Sequence, residues 1–217
     1  MKKTAVVPVS HLTWIAKGCQ RLVFIHPDDD TKILKVPYSG LMMDTVLRNA
    51  PIANKQQNRH IAREHRVYRR NRRRLAQQPF DAPIPFFYGT IRTDIGNADV
   101  YEGLFRQNRS KLALTLGQVV RRDLFRQKAL DDLNAFVTRL DAWNIPATDI
   151  TAQNIVYGFR GDRRVFVLVD GFGDYRKLPV ASWSRRIRLQ RTSDAYSRIA
   201  KRLGIVWDAE GRSFHHQ

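Results

Sequence analysis

Short apolar runs broken by turn residues fill the first third of the chain, a pattern that predicts β-structure. Thr13 to Ile25 carries apolar positions on either side of a turn at Lys17-Gly18. Pro27-Asp28-Asp29-Asp30 reads as a second turn and Ile33-Leu34-Lys35-Val36 as another short strand, followed by a loop punctuated by Gly40, Asn49 and Pro51. From Gln57 to Gln78 the period changes to that of a helix: Ile61, His65, Tyr68 and Leu75 share one face, and Arg59, Arg63, Arg66, Arg70 and Arg73 share the other. Glu64 falls on the apolar face, where a carboxylate is costly unless it meets a cation. Pro83 and Pro85 break the chain; Phe86 to Thr93 and Asp99 to Leu104 then read as strands joined by the turn Asp94-Ile95-Gly96-Asn97. Beyond Gly103 the pattern is helical. Arg126 to Trp143 carries Ala129, Leu133, Phe136, Val137 and Leu140 at helical spacing, with Asn144 and Pro146 as its stop. Val165 to Val169 is a β-prone strand, and apolar positions at 189, 196, 199 and 203, with Thr192, form a last helical stripe ended by Gly204 and decorated by Arg188, Arg191, Arg198, Lys201 and Arg202. This layout implies an α+β protein of two lobes: residues 1–104 a sheet with one helix, residues 105–217 mostly helical.

Charge adds a constraint. The 217 residues hold 38 Lys and Arg against 20 Asp and Glu, a net charge of +18, which draws a protein toward phosphate-rich surfaces such as anionic lipid or nucleic acid. A solvated basic surface is the plainer reading of the same number. Arg69, Arg70, Arg72, Arg73 and Arg74 could dock anionic lipid, but no aromatics interleave them as a stacking surface requires, so nucleic acid ranks below a membrane surface. Cys19 is the only cysteine; it excludes an intrachain disulfide and suits a reducing compartment. No apolar run reaches transmembrane length, and the opening Met1-Lys2-Lys3-Thr4-Ala5 lacks the run and cleavage pattern of a secretory signal. The expectation is a cytoplasmic protein, peripheral at most to the inner face of a membrane.

The residues that carry chemistry lie in two segments. Asp149 and Asn154, five apart, follow the long amphipathic helix; Asp170-Gly171-Phe172-Gly173 follows the apolar strand. Phosphoryl transfer from ATP needs a group to orient the attacking hydroxyl, oxygen ligands for magnesium and a fixed cation on the phosphates. Asp149 would accept the hydroxyl proton, and Asn154 and Asp170 would supply hard oxygens to Mg2+. Lys35 would meet the phosphates, and Glu64 would position Lys35. Taken singly, each has a structural reading: Asp149 and Asn154 as a capping or turn pair, Asp170-Gly171 as a turn, Lys35 as a strand edge, Glu64 as a partner for a neighbouring Arg.

In order, Lys35, Glu64, Asp149, Asn154 and Asp170 resemble the protein-kinase signature set. Across nearly the whole chain the sequence resembles the PhoP regulatory network protein YrbL family, through Phe24-Ile25-His26-Pro27, Ile33-Leu34-Lys35-Val36, Arg63-Glu64, Tyr88-Gly89-Thr90, Gln153-Asn154-Ile155 and Ser182-Trp183-Ser184. More distantly it is similar to bacterial lipopolysaccharide-core kinases. The resemblance implies a protein-kinase-like two-lobed fold with a reduced C-terminal lobe. Gly18 would then stand in the phosphate loop and Glu102, within Tyr101-Glu102-Gly103, in the hinge that meets adenine. The sequence departs from the kinase pattern in several places. Only one loop glycine is in place, Ala147-Thr148 precede Asp149, Thr151 stands where a lysine is usual, and the metal motif reads Asp-Gly-Phe-Gly. No Ala-Pro-Glu segment follows Gly173, which favours a small molecule or glycolipid over a protein as acceptor. The implied function is an ATP- and Mg-dependent phosphotransferase acting on a hydroxyl. The alternatives are a pseudokinase that only binds nucleotide and a basic polyanion-binding protein.

Overall fold

The computed structural model describes residues 6–18, 21–38, 55–107, 111–173 and 184–217. Cys19, the loop through Gly40, Asn49 and Pro51, and Ser182-Trp183 lie outside the described residues. The chain is α+β and divides into two compact units, one of residues 1–62 and 86–103, the other of residues 63–85 and 104–217.

The first unit is an antiparallel sheet of β1 (Ala16–Lys17), β2 (Arg21–His26), β3 (Asp29–Pro37), β4 (Phe87–Thr93) and β5 (Gly96–Glu102), in the order β1-β2-β3-β5-β4. Alternation along the strands explains its core. Leu22 and Phe24, Leu34 and Val36, and Ala98 and Val100 send every second side chain into one cluster with Val9 and Ile95. Burying a side chain such as Phe24 or Leu34 stabilises by about 1.5–3 kcal/mol. The β4–β5 turn is tighter than the sequence suggests. Pairing resumes at Gly96, opposite Thr93, because Gly96 adopts a φ of +122° that a side chain would resist. Asp94, at that turn, accepts from the amides of Val9 (2.8 Å) and Ser10 (3.2 Å) and so ties down the N-terminal segment.

The second unit contains most of helix α1 (Lys55–Gln77), from Arg63 onward. Its buried positions are Glu64, Val67, Tyr68 and Leu75. Among the described residues three further helices follow: α2 (Leu116–Arg121), α3 (Gln127–Ala142) and α4 (Arg185–Leu203). Between them lie β6 (Leu114–Thr115), β7 (Ile155–Arg160) and β8 (Arg163–Leu168), which form a three-stranded sheet, and after them the hairpin of β9 (Val206–Asp208) and β10 (Ser213–His215). The sequence pattern anticipates one strand in this half; the structure pairs it with β7, whose run Ile155-Val156-Tyr157 is apolar at every position and therefore carries no period of its own.

Local chemistry explains where these elements start and stop. Thr115 and Gln118 form a capping box that starts α2. Ser184 caps α4 by accepting from the Ile187 amide (3.4 Å), and Gly204 ends that helix in the left-handed region at φ +66°. Buried Arg160 on β7 donates to the carbonyls of Phe80 (3.3 Å), Ala82 (2.5 Å) and Ile84 (3.0 Å), so one guanidinium satisfies three carbonyls of a segment outside the sheets. Asn134 on α3 exchanges two hydrogen bonds with Phe214 of β10 (2.7 and 3.0 Å), which pins the hairpin to α3. Arg188, which the sequence pattern leaves as surface decoration, is instead buried and donates to Asn144 Oδ1 at 2.5 Å. Among the described residues no helix is long and apolar enough to cross a membrane.

Candidate functional site

Asp149 sits in the loop between α3 and β7, and Asp170 at the exit of β8. Antiparallel pairing of β7 with β8, Ile155 opposite Leu168, brings both segments to the same end of the sheet. There they are joined by backbone hydrogen bonds: the amides of Thr148 and Asp149 both donate to Gly171 O (3.1 and 3.2 Å), and the Val169 amide donates to Asn154 O (2.9 Å). Further contacts seal the turn, from the Gly173 amide to Pro146 O (2.6 Å) and from Thr148 Oγ1 to Gly173 O (3.1 Å).

Gly171 is required at this junction. Its φ is +80°, and a Cβ built on it would stand 2.3 Å from the Asp149 carbonyl oxygen, closer than any real contact. The Asp149 loop and the Asp170 turn are therefore in backbone contact, and the relative placement of the two carboxylates follows from the main chain.

The side chains complete the arrangement. Asn154 Nδ2 donates to Asp149 O (2.9 Å) and to Asp149 Oδ2 (3.3 Å), which locks the loop across its five residues and turns Asn154 Oδ1 the opposite way. Asp170 Oδ1 accepts from the Gly171 amide at 2.7 Å. Asp149 is exposed, whereas Asn154 and Asp170 are half-buried. Two hard oxygen donors on adjacent backbone suit a magnesium ion that takes its remaining ligands from phosphate and water. Among the described residues no group of three His, Cys, Asp or Glu forms a closed protein cage for a metal.

Glu64 belongs to the same unit and is 1% exposed, the most buried acidic residue among the described residues. One turn further along α1, Tyr68 meets Phe172 edge-on at 5.6 Å and donates to Pro85 O (2.9 Å). Gly173, at φ +103°, runs against Arg63, whose Cβ would lie 3.4 Å from an added one. The Asp170 turn is thus packed between the Asp149 loop and the helix that carries Glu64. The packing residues Tyr68 and Phe172 are recognisable in sequence only as apolar positions.

Lys35, Gly18 and Glu102 lie in the first unit. Lys35 on β3 is 6% exposed, an unusual burial for a lysine. It stands in register with Asp99 on β5, and its Nζ is 4.9 Å from the centre of the Tyr101 ring. Asp99 is itself 5% exposed and accepts from Thr90 Oγ1 at 2.7 Å. In sequence the marker of Asp99 is a carboxylate set between Ala98 and the apolar pair Val100-Tyr101. Gly18 bonds through its amide to Arg21 O (2.9 Å) and through its carbonyl to the Tyr38 hydroxyl (2.9 Å). A Cβ at Gly18 would meet only Arg21 O, at 3.5 Å, so neither space nor backbone demands glycine there. Glu102 Oε2 accepts from the Phe86 amide (3.1 Å), while the amides of Glu102 and Gly103 donate to Phe86 O (2.9 Å) and Thr31 O (2.8 Å). The amides of Glu102 and Gly103 are thereby both engaged within their own unit.

The arginines of α1 are mostly exposed, among them Arg66, Arg69, Arg70, Arg72 and Arg73. Arg74 differs: it donates to Ala142 O (2.8 Å) and its guanidinium stacks 4.3 Å from the Trp143 ring, so it is a packing residue.

Comparison with known proteins agrees with the resemblance read from the sequence. The sequence model of the PhoP regulatory network protein YrbL family matches residues 7–204. The protein named Uncharacterized protein YrbL from Escherichia coli (strain K12) is 22% identical over 199 residues, which cover 89% of this chain and 86% of that one. Its counterpart in Shigella flexneri matches with the same figures, 22% over 199 residues. Among solved structures, the co-crystal structure of WbdD and the kinase inhibitor LY294002 has a TM-score of 0.44 at 13% identity, over 72% of this chain and 32% of that one. Another crystal structure of WbdD gives 0.46 at 15% identity, over 77% and 34%. The chain spans about a third of the length of each WbdD chain.

Proposed function

The chain belongs to the PhoP regulatory network protein YrbL family, and from that membership and the geometry of the Asp149 loop we propose an ATP- and Mg-dependent phosphotransferase. It would have a protein-kinase-like fold of two lobes with a reduced C-terminal lobe, and would act on a hydroxyl of a small-molecule or glycolipid acceptor.

The observation that carries this reading is the backbone junction at Gly171, where the amides of Thr148 and Asp149 share one carbonyl with the turn that bears Asp170. A capping or turn pair would need only one of the two carboxylates. Here the backbone of an exposed Asp is joined to the turn that carries a half-buried Asp, and the Asn154 amide donates to Asp149 O and Oδ2. Phosphoryl transfer is mostly positioning and electrostatics, so a rigid arrangement of this kind supplies most of what the protein must contribute.

In this reaction Asp149 hydrogen-bonds the acceptor hydroxyl, aims its oxygen and takes its proton as the O–P bond forms. Its exposure leaves the carboxylate within reach of an incoming acceptor. Asn154 keeps Asp149 in place through the 2.9 Å bond to its carbonyl and offers Oδ1 to a metal. Asp170 gives the second oxygen. A magnesium ion held there supplies charge neutralisation on the phosphate oxygens. Lys35 provides a cation whose ammonium is already sequestered from water, which strengthens its attraction to a phosphate. Glu64 would position Lys35, and Tyr68 on the same helix meets Phe172 edge-on at 5.6 Å.

The test is turnover of ATP with magnesium, read as ADP released, in the wild type and in Asp149→Asn. Losing a positioned general base lowers the rate by about 10²–10⁴-fold, while ATP binding should persist. Unchanged turnover in Asp149→Asn would refute the role of Asp149. Binding without turnover in either protein would favour a nucleotide-binding regulatory module.

A further inference from the structure

Asp149 opens onto a cavity of about 360 Å³ whose other walls come from α2 and α4. Gly117 and Arg121 line it from α2, and Arg198, Ile199 and Arg202 from α4. Three guanidiniums therefore surround a space to which the protein contributes one carboxylate.

Ordinary structural needs do not explain the three together. Arg198 and Arg202 are four residues apart on α4, a spacing at which like charges repel and weaken a helix. Among the described residues none of the three has a carboxylate partner, whereas Arg212 is paired with Asp141 (2.6 Å) and Arg126 with Asp123 (2.5 Å). Arg121 lies close over the floor of the cavity: its Nη1 would be 3.4 Å from a Cβ placed on Gly117, so the absence of a side chain at Gly117 makes room for it. Arg121 and Arg202 each sit in the last turn of their helix, where one cation is favourable. That preference does not account for Arg198, nor for all three meeting beside Asp149.

We propose that this cavity seats the acceptor, and that the acceptor is a phosphomonoester carrying a free hydroxyl. This rests on the phosphotransferase reading above and specifies its substrate class. The guanidinium fork matches phosphate oxygens two at a time, and three such forks around one cavity suit a dianion rather than a neutral sugar. The volume lies within the range of sites for small ligands. With the anion on Arg121, Arg198 and Arg202, the hydroxyl points to Asp149. Its oxygen attacks the γ-phosphorus of ATP, the bond to the β,γ-bridging oxygen breaks, ADP leaves with that electron pair, and the hydroxyl proton passes to Asp149. The ligand chemistry could come from a soluble sugar or polyol phosphate or from lysophosphatidic acid; both present a phosphomonoester and a hydroxyl.

The test is calorimetric titration of the nucleotide-free protein with glycerol 3-phosphate and with glycerol, and of phosphatidylcholine vesicles with and without lysophosphatidic acid. It uses the wild type, the double variant Arg198→Gln/Arg202→Gln, and Arg59→Gln/Arg66→Gln as a control that removes the same charge from exposed positions on α1. A thermal-shift titration with ATP and magnesium is run on each protein alongside. Each arginine–phosphate contact contributes about tenfold or more, so the cavity variant should lose about a hundredfold in affinity. The control should lose little and glycerol should not bind. Binding of glycerol 3-phosphate with that pattern supports a soluble acceptor, and the same pattern seen only with lysophosphatidic acid supports a lipid one. An equal loss in the two variants, or no phosphomonoester binding while the ATP response is intact, overturns the acceptor assignment and leaves the phosphotransferase reading standing. Phosphomonoester binding without any ATP response would overturn both.

Discussion

Gly171→Ala should damage this protein far more than an ordinary glycine substitution. The residue has a φ of +80°, and an added Cβ would stand 2.3 Å from Asp149 O, 2.9 Å from Asp149 C and 3.0 Å from Asp149 Cβ. All three atoms lie in or next to main chain, so no side-chain rotation relieves the overlap. A left-handed alanine costs about 1–2 kcal/mol. Moving the loop away also stretches two amide bonds to Gly171 O, each contributing about 1 kcal/mol, so the total is about 3–4 kcal/mol. Gly161→Ala is the internal control. Gly161 also has a positive φ, +59°, but its Cβ would meet only Phe80 Cε1 at 3.4 Å. It should cost about 1–2 kcal/mol, from backbone strain alone. Urea denaturation of the wild type and both variants measures the difference. Equal destabilisation by the two substitutions would show that the Asp149 loop and the Asp170 turn are not held in contact, and the positional argument for the site would fail.

Three other outcomes follow from packing and charge. Arg160→Met would leave the carbonyls of Phe80, Ala82 and Ile84 without their donor; at about 1 kcal/mol each the loss should reach about 3 kcal/mol in urea denaturation, and a loss below about 1 kcal/mol would contradict the role assigned to it. Thr115→Ala removes one half of the capping box of α2 and should cost about 1 kcal/mol by the same measurement; no loss would show that α2 does not depend on its cap. Asp94 titrates below the usual carboxylate range. Burial pushes its pKa up, but the Ser10 side chain and the amides of Val9 and Ser10 together pull it down further. A lowered folded pKa means the unfolded chain takes up the proton first as pH falls. The stabilisation is therefore complete above the ordinary carboxylate pKa and is lost in acid as the pH falls through the lowered folded value. Asp94→Asn should lower stability at neutral pH and flatten the acid side of the stability profile; an unchanged profile would remove the ion from the account.

Much of the scaffold was legible because its patterns are local. The face of α1 that places Glu64 beside Tyr68, the alternation of Leu34 and Val36, and the stop of α4 at Gly204 are all written in residue spacing. β7 was not, since Ile155-Val156-Tyr157 is apolar on both sides and fits a strand or a helix equally. α2 escaped because six residues show no period; Thr115 and Gln118 were its only marker. Asp149, Asn154 and Asp170 could be chosen from their residue types and order, but their junction depends on Gly171 lying against Asp149 O, a contact across 22 residues that spacing cannot express. The arginine cavity was hidden for the same reason. Arg198 and Arg202 look like the solvated side of a helix until Arg121 arrives from α2.

If Asn154 and Asp170 hold a metal with the nucleotide beside Asp149, a thermal-shift titration with ATP, with and without magnesium, will report it in the wild type and in Asp170→Ala. A ligand that binds only the folded state raises stability by mass action, so the shift should grow with ATP concentration. The account requires a shift that depends on magnesium in the wild type and disappears in Asp170→Ala. A shift that is the same in both proteins, or none under any condition, would contradict it.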